Sequence, residues 1–486
     1  MLKRVRIILT VLLLLATVGV DAQVTTASMA GKVTDASNEP IIGATVQAVH
    51  QPSGSRYGTV TNVDGRYSIQ GMRTGGPYRV EISYIGYQTV IYKDITLQLG
   101  EVYNLNVEMS ESSELLNEVI VTAAKTKFTA EKTGATTNIS SAQITQLPTV
   151  NRSISDIARL SPYANGMSFA GGDGRSTNFT IDGANFNNNF GLSSNLPGGG
   201  NPISMDAIEE VQVVVAPFDV RQTNFIGGGI NAITKSGTNT FRGTAYTYYR
   251  NQDMRGNRIN GEDLGARSDE SKTTYGFTLG GPIIKNKLFF FVNYEKEKTP
   301  GEVIKYRARE DGEEAKGMVS RTLKSDMEKV YNHLKDKYGY DAGSYTSFPA
   351  DEENTKILAR IDWNITDRHR LSLRYNNTKN TAWNAPNGNS SDTGYRLNNT
   401  YRVGTQSMAF ANSMYSMDNK VQSWAADLNS RFTDKISNQL LFTYTNIEDM
   451  RGTNSSPFPF IDIMAGKDEN GNQILEPYMS AGYELF

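Results

Sequence analysis

Ile357-Leu358-Ala359-Arg360-Ile361-Asp362-Trp363-Asn364-Ile365 is followed, after Thr366-Asp367-Arg368, by His369-Arg370-Leu371-Ser372-Leu373-Arg374-Tyr375. Ile357, Ala359, Ile361, Trp363 and Ile365 oppose Leu358, Arg360, Asp362 and Asn364. Leu371, Leu373 and Tyr375 oppose Arg370, Ser372 and Arg374. Alternation of period two is the mark of a strand with two unlike faces. The pattern returns where Trp424, Ala426, Leu428 and Phe432 oppose Asp427, Asn429 and Arg431. It returns again where Leu440, Phe442 and Tyr444 oppose Gln439, Thr443 and Thr445. Strand-like runs of about ten residues, the length of a tilted membrane strand, fall at 241–250, 272–281, 287–297, 355–364, 369–379, 420–431 and 436–447. Their connections alternate. Those at 282–286, 365–368 and 432–435 are short, and those at 251–271, 298–354 and 380–419 are long. Short turns on one side and long loops on the other are the layout of an outer-membrane β-barrel, with one face toward lipid and one toward an aqueous lumen. Tyr248, Tyr249, Phe290, Tyr294 and Trp363 stand near run ends, where an interfacial girdle belongs. A soluble sheet with one wet face is the competing reading, and it gives no reason for the loop parity. The stretch 448–486 reads as one more long loop. An odd set of strands ending in a loop reads as an unfinished barrel, because a membrane sheet must pair its edges.

The chain has 486 residues, enough for two to four domains. Its formal net charge of −2 gives no basic field for nucleic acid. It contains no cysteine, which excludes disulfides, thiolate metal sites and a cysteine nucleophile. His50, His333 and His369 are far apart, without ligand-like spacing. No cofactor and no metal is expected. Lys3, Arg4 and Arg6 precede the apolar stretch Ile7–Val20, and Val20-Asp21-Ala22 offers a cleavage edge. Residues 1–22 therefore read as a secretory signal. The apolar stretch is short of the ~20 residues a spanning helix needs.

Residues 23–110 read as a small all-β domain of short strands and turn signals, in the manner of a sandwich. Asp64-Gly65, between Val60–Val63 and Arg66–Ile69, is a hairpin signal. Residues 111–125 change character. Ser110–Glu114 reads as a linker, and Glu118-Val119-Ile120-Val121-Thr122-Ala123 is a short β-prone run beside it. Such a run suits pairing with the sheet edge of another protein; a strand of a neighbouring domain explains it equally well. Residues 126–238 read as mixed α/β, with short helices at Ser141–Gln146, N-capped by Ser140, and at Ile154–Leu160. A strand is expected at Glu209–Ala216 and another after Gly227-Gly228-Gly229. No Gly-Lys-Ser/Thr follows those glycines, so a tight turn is expected and not a phosphate cradle. Gly171-Gly172-Asp173-Gly174 lacks the alternate oxygen ligands of a calcium loop. Residues 239–486 carry the barrel-like strands, and Glu313–Lys337 has helical periodicity, expected as a solvated helix on a loop.

These stretches resemble the TonB-dependent outer-membrane receptors, in particular their SusC-like and Oar-like group. Gly31-Lys32-Val33-Thr34-Asp35, Pro40–Val46, Thr61–Ile69 and Tyr84-Ile85-Gly86-Tyr87 resemble the carboxypeptidase-regulatory-like domain at their N-termini. Ile181-Asp182-Gly183, Ile208-Glu209-Glu210-Val211-Gln212-Val213 and Gly227-Gly228-Gly229-Ile230-Asn231, continuing to Lys235, resemble the plug. Gly280–Phe291 resembles an early barrel hairpin of the Oar-like members. The resemblance implies a mainly β chain: an N-terminal β-sandwich, a mixed α/β plug and part of a transmembrane antiparallel barrel of about 22 strands. It implies an outer-membrane location with a periplasmic N-terminal domain, and uptake of a large solute such as an oligosaccharide, peptide or metal chelate. TonB would capture a periplasmic segment as an added strand, and Glu118–Ala123 matches the run this group uses there; the same run could be the plug's first strand. A surface lipoprotein lid is a further partner of SusC-like members. Phe486 resembles the terminal aromatic of outer-membrane proteins but follows loop-like sequence, so the chain reads as an N-terminal portion of a longer receptor.

Two functions compete on this reading. One is an energy-coupled importer. The other is a surface binding or adhesion protein whose sandwich and loops act without transport. An enzyme is not expected, since neither a metal-ligand set nor a nucleophilic triad can be built from three scattered histidines.

Overall fold

In the computed structural model the described residues are 24–111, 119–122, 135–149, 151–188, 195–216, 222, 227–254, 256, 258–263, 271–301, 304, 306–348, 350–386, 402–467, 470–472, 474 and 476–483. The expected signal 1–22, the linker residues 112–118 and Phe486 lie outside them.

Two small sheets face each other at the N-terminal end. In one, β1 (Ala27–Asp35) pairs antiparallel with β4 (Arg66–Met72) and parallel with β7 (Val102–Asn104) and β8 (Val107–Met109). The other has the order β3 (Ser55–Val60), β2 (Thr45–His50), β5 (Gly75–Ser83), β6 (Val90–Leu97) and β9 (Val119–Thr122). Alternate residues such as Met29, Val33, Val46, Ala48, Val80 and Ile82 point inward around Tyr78 to form the shared core. Asp64-Gly65 does turn the chain, with Gly65 at φ 71°, but it closes no hairpin. The strand before it pairs with β2 and the strand after it with β1. The cause is Thr61. Its hydroxyl donates to Ile41 O at 2.6 Å and accepts from Ala44 N at 2.8 Å, which ends β3 and sends the chain into the opposite sheet.

The second unit is a mixed sheet in the order β10 (Ala135–Ser140), β15 (Ile208–Ala216), β16 (Gly229–Thr234), β13 (Asn178–Ile181) and β14 (Ala184–Asn185). Only β13 and β16 run parallel. The helices Ser141–Gln146 and Ile154–Ala158 follow β10, the first closed by a capping box of Ser140 and Gln143. A two-residue hairpin, β11 (Ala164–Asn165) with β12 (Ser168–Phe169), comes next. Val211, Val213 and Val214 on β15 are all buried, because both faces of the strand are covered. The triple glycine serves close packing. A Cβ at Gly228 would lie 2.5 Å from the Phe169 ring, and Gly227 has φ 102°.

The third unit is a seven-stranded sheet: β17 (Arg242–Asn251), β20 (Ser271–Ile284), β21 (Leu288–Thr299), β24 (Glu352–Asn364), β25 (His369–Asn384), β27 (Tyr415–Arg431) and β28 (Ser437–Gly452). Every neighbouring pair is antiparallel. Phe277, Leu279, Ile361, Trp363, Leu373, Trp424, Leu440 and Phe442 stay exposed on its outer face, an apolar belt suited to lipid. The inner face is polar and largely buried. The mixed sheet sits against it, and Phe291, Leu358 and Val421 of the wall join that sheet's core.

The long connections hold structure of their own. In the first, β18 (Arg258–Ile259) pairs with β19 (Glu262–Asp263). Further on, β22 (Arg307–Arg309) pairs in parallel with β23 (Val319–Leu323), and a helix follows at Lys324–Tyr338. β26 (Met408–Ala409), β30 (Pro477–Ala481) and β29 (Ile461–Met464) form a small sheet. The helix starts later than its periodicity predicts, because Val319–Leu323 takes extended pairing and leaves Met318 outside it. Nor is it only a solvated cover. Met327 and Leu334 pack into a core with Phe410, Met408 and Met479.

Candidate functional site at the junction of inner sheet and wall

Strand alternation places Arg360 and Asp362 of β24 on the inner face, with Arg374 of β25 directly across from Arg360. Two guanidiniums facing each other across a ladder repel. The inner sheet supplies the missing anion. Asp182 follows β13 at φ 45°, a left-handed conformation that Asp tolerates better than most residues. Its carboxylate is held by Thr234, from the backbone N–H at 3.0 Å and the hydroxyl at 2.7 Å. It then meets Arg360 Nη1 at 3.3 Å and Arg374 Nε at 3.2 Å. Arg360 also donates to Thr234 O at 2.9 Å and to both oxygens of Asp362, at 3.0 and 2.9 Å. Asp362 is fully buried and takes a further bond from Ser372 at 2.7 Å. A buried charge without its partner is costly, so this knot pins the inner sheet to the wall. A second pin lies higher. Glu295 pairs with Lys356 at 2.8 Å and accepts from Ser204 at 2.8 Å and Tyr246 at 2.9 Å, with Ser204 contributed by the inner unit.

The N-terminal sandwich reaches the same place from the short-turn side. Arg73 lies 3.6 Å from Asp362 and donates to Ser236 at 3.3 Å. Thr25 donates to Asp427 at 2.6 Å. Asn364 donates to Ser55 at 3.0 Å, Asn239 N–H donates to Pro52 O at 2.8 Å, and Arg370 donates to Arg56 O while stacking on Tyr57. A cavity of about 420 Å³ remains where the three units meet, lined by residues including Arg73, Asp182, Arg360, Arg374 and Asp427.

The residues singled out from sequence divide. Ile181 and Val211 are core, and Gly183 takes φ 78° after Asp182. Gly229 pairs with Asn178 and Val214. Asn231 accepts from Thr180 at 2.7 Å. Burial pushes the Glu209 carboxyl up, against the pull of Lys235, Arg360 and Arg242. Glu210 accepts from Leu99 N–H at 3.0 Å and Asn138 at 2.8 Å. Val119–Thr122 is a strand, paired in parallel with Val90–Lys93 of β6; Glu118 and Ala123 lie outside the described residues. Sequence reasoning missed Arg360, Asp362, Arg374, Lys356 and Glu295. Their signal was present as charges recurring on the inward phase of strands whose other phase is apolar.

Residues 28–110 match the family described as carboxypeptidase regulatory-like domain, and residues 233–304 match the outer membrane beta barrel domain. A curated protein, the TonB-dependent transporter Oar of Myxococcus xanthus, is 25% identical over 376 residues, covering 72% of this chain and 33% of its own length. By these matches the chain is similar to the TonB-dependent outer-membrane receptors. Its outer membrane beta barrel domain places it in the outer membrane, and the curated protein it resembles is a transporter. The receptor chain spans about a third of that relative's length. Solved structures similar to it include the siderophore receptor PirA from Pseudomonas aeruginosa, at 15% identity and TM-score 0.41 over 66% of this chain and 42% of that one. The outer membrane transporter YddB from Escherichia coli is similar at 16% identity and TM-score 0.45, over 66% and 40%.

Proposed function

We propose that the chain serves energy-coupled uptake of a large solute across the outer membrane, with 126–238 as plug, 239–486 as barrel wall and 23–110 as a periplasmic domain. The observation that carries this reading is Asp182 seated between Arg360 and Arg374. A plug held by a few buried charges is firm at rest, yet a directed pull can free it. Glu118–Ala123 is the segment that TonB takes as an added strand, since strand addition uses backbone groups and tolerates varied side chains. The solute classes that fit are an oligosaccharide, a peptide or a metal chelate, and a surface lipoprotein could serve as lid. Residues 1–22 act as the secretory signal.

Deleting Glu118–Ala123 from the intact receptor is the test. Uptake and capture of the TonB periplasmic domain should both be lost, while solute binding at the surface survives. Uptake that continues after the deletion refutes the reading. The alternative, a surface binding or adhesion protein, draws on the ordered loop core, where Tyr340 stacks on Phe458 at 4.0 Å. It predicts binding and function independent of TonB.

A further inference from the structure

Leu99 of the N-terminal sandwich is held by the plug at both of its backbone groups. Its N–H donates to Glu210 at 3.0 Å. Its carbonyl accepts from Gln212 at 2.6 Å and from Asn138 at 3.0 Å. Its side chain is fully buried with Val24 and Ile233. Asn138 on β10 and Glu210 and Gln212 on β15 are neighbours in the plug sheet, where Asn138 pairs with Gln212 and Ser140 with Glu210. Three side chains of two plug strands thus converge on the backbone of one residue of another domain. Gly100 permits the approach, for a Cβ there would lie 2.9 Å from the Gln212 amide.

The place matters as much as the grip. Among the described residues the sandwich meets the short-turn end of the wall, through contacts that include Ser55 to Asn364, Pro52 to Asn239 and Gln70 to Ser437. A solute leaving the barrel on that side would run into it. Leu99 also stands two residues beyond Leu97, the end of β6, and β6 carries β9 along its edge. A force that strips or drags β9 acts on the strand leading directly into Leu99.

We propose that the N-terminal sandwich is a second closure of the periplasmic mouth, latched to the plug at Leu99 by Asn138, Glu210 and Gln212, and released when β9 is taken by TonB. The trigger rests on the TonB reading given above; the latch does not. Capture of β9 removes the outer partner of β6, the latch opens, and the sandwich swings clear before the plug yields. The closure is made of contacts within this chain alone.

Hydrogen exchange of residues 97–101 in the intact receptor, read by mass spectrometry, tests this. The triple variant Asn138→Ala, Glu210→Ala, Gln212→Ala should raise exchange there by about tenfold or more, while protection of β16 and of the wall strands stays unchanged. Unchanged exchange at 97–101 overturns the latch. Loss of protection throughout would mean misfolding, so a second variant decides that case. Ser55→Cys with Asn364→Cys bridges sandwich and wall in a chain that has no other cysteine in these 486 residues. Oxidation should then restore protection in the triple variant and reduction should lose it; no restoration overturns the proposal. Adding the TonB periplasmic domain to the wild type should speed exchange at 97–101, and the oxidised bridge should prevent it. If that domain binds and 97–101 stays protected, the trigger is wrong. If it does not bind at all, the TonB reading fails and takes the trigger with it, and the latch is still decided by the triple variant.

Discussion

Replacing Glu210 with Gln should remove a pH dependence from the docking of the sandwich. Glu210 is 5% exposed, and burial pushes its carboxyl from the usual 4.5 up to about 7. Its bonds from Asn138 and Leu99 pull it down, and the nearby Glu209 and Glu101 push it further up. When the sandwich leaves, water returns and the carboxyl regains its ordinary affinity for protons. A tenfold change in that affinity is about 1.4 kcal/mol, so ionising Glu210 in the docked state costs about 3 kcal/mol. A carboxyl raised in this way favours docking fully below pH 4.5, and that advantage is lost as pH rises through about 7. His50, held down at about 3 by burial and Arg73, is bonded to Ser53 and packed on Tyr78 within the sandwich, so its titration bears on the sandwich's own stability. The difference between wild type and Glu210→Gln isolates the carboxyl, because Gln still accepts from Leu99 and carries no proton to lose. Spin labels at Ile85→Cys and Ile436→Cys, both exposed, report the sandwich-to-wall distance across pH 4.5 to 8. The wild type should lose its docked distance toward the alkaline end relative to the variant. Identical pH profiles, or docking that tightens with pH only in the wild type, would refute this account.

Three further outcomes are expected. Asp182→Ala leaves Arg374 without its carboxylate, opposite an Arg360 that keeps Asp362, and should weaken retention of the inner sheet by about 3 to 5 kcal/mol, read as a lower urea midpoint for exchange of the Thr234 amide. Asp182→Glu should recover only part of this, since the longer side chain must refit against Thr234. Gly228→Ala should lower plug stability by about 1 to 3 kcal/mol through its clash with Phe169, and adding Phe169→Leu should relieve it; the same midpoints decide it. Lys356→Met strands the Glu295 carboxylate and should loosen Ser204 and Tyr246 with it, visible as faster exchange of the Asp206 amide.

The wall was legible in the sequence because a strand with lipid on one side and polar surroundings on the other writes a period of two. Ile357, Ile361 and Trp363 stand on one phase, and Arg360 and Asp362 on the other. The partner of the polar phase could not be read. Period two says that Arg360 and Arg374 point inward and is silent on whether water or Asp182 meets them, a matter settled by a residue about 180 positions earlier. The turn at Asp64-Gly65 was legible as a turn and misread as a hairpin, because the choice between sheets was made by the hydroxyl of Thr61. The helix after Glu313 was found by its apolar spacing but begun too early, since that spacing does not record the pairing of Val319–Leu323 with β22. Leu99 gave no signal at all. A grip on the backbone of one residue leaves only Gly100, with φ 70°, as its trace in the sequence.

The facing pair Arg360 and Arg374 has a further consequence for a cycle in which the plug departs and comes back. With Asp182 gone, Arg360 would keep Asp362 as its partner, while Arg374 across the ladder would lose its paired carboxylate. Such a wall attracts an anion of the right reach, and one is tethered to the same chain. On the proposed function, the return of a displaced inner sheet would be favoured by the pairing of Asp182 with Arg374 and Arg360. Added salt supplies rival anions and screening, so re-seating after a pull should slow as ionic strength rises; a rate indifferent to salt would place the driving force elsewhere. On that reading, outside energy would be spent on opening, and the charges of the wall would favour closing.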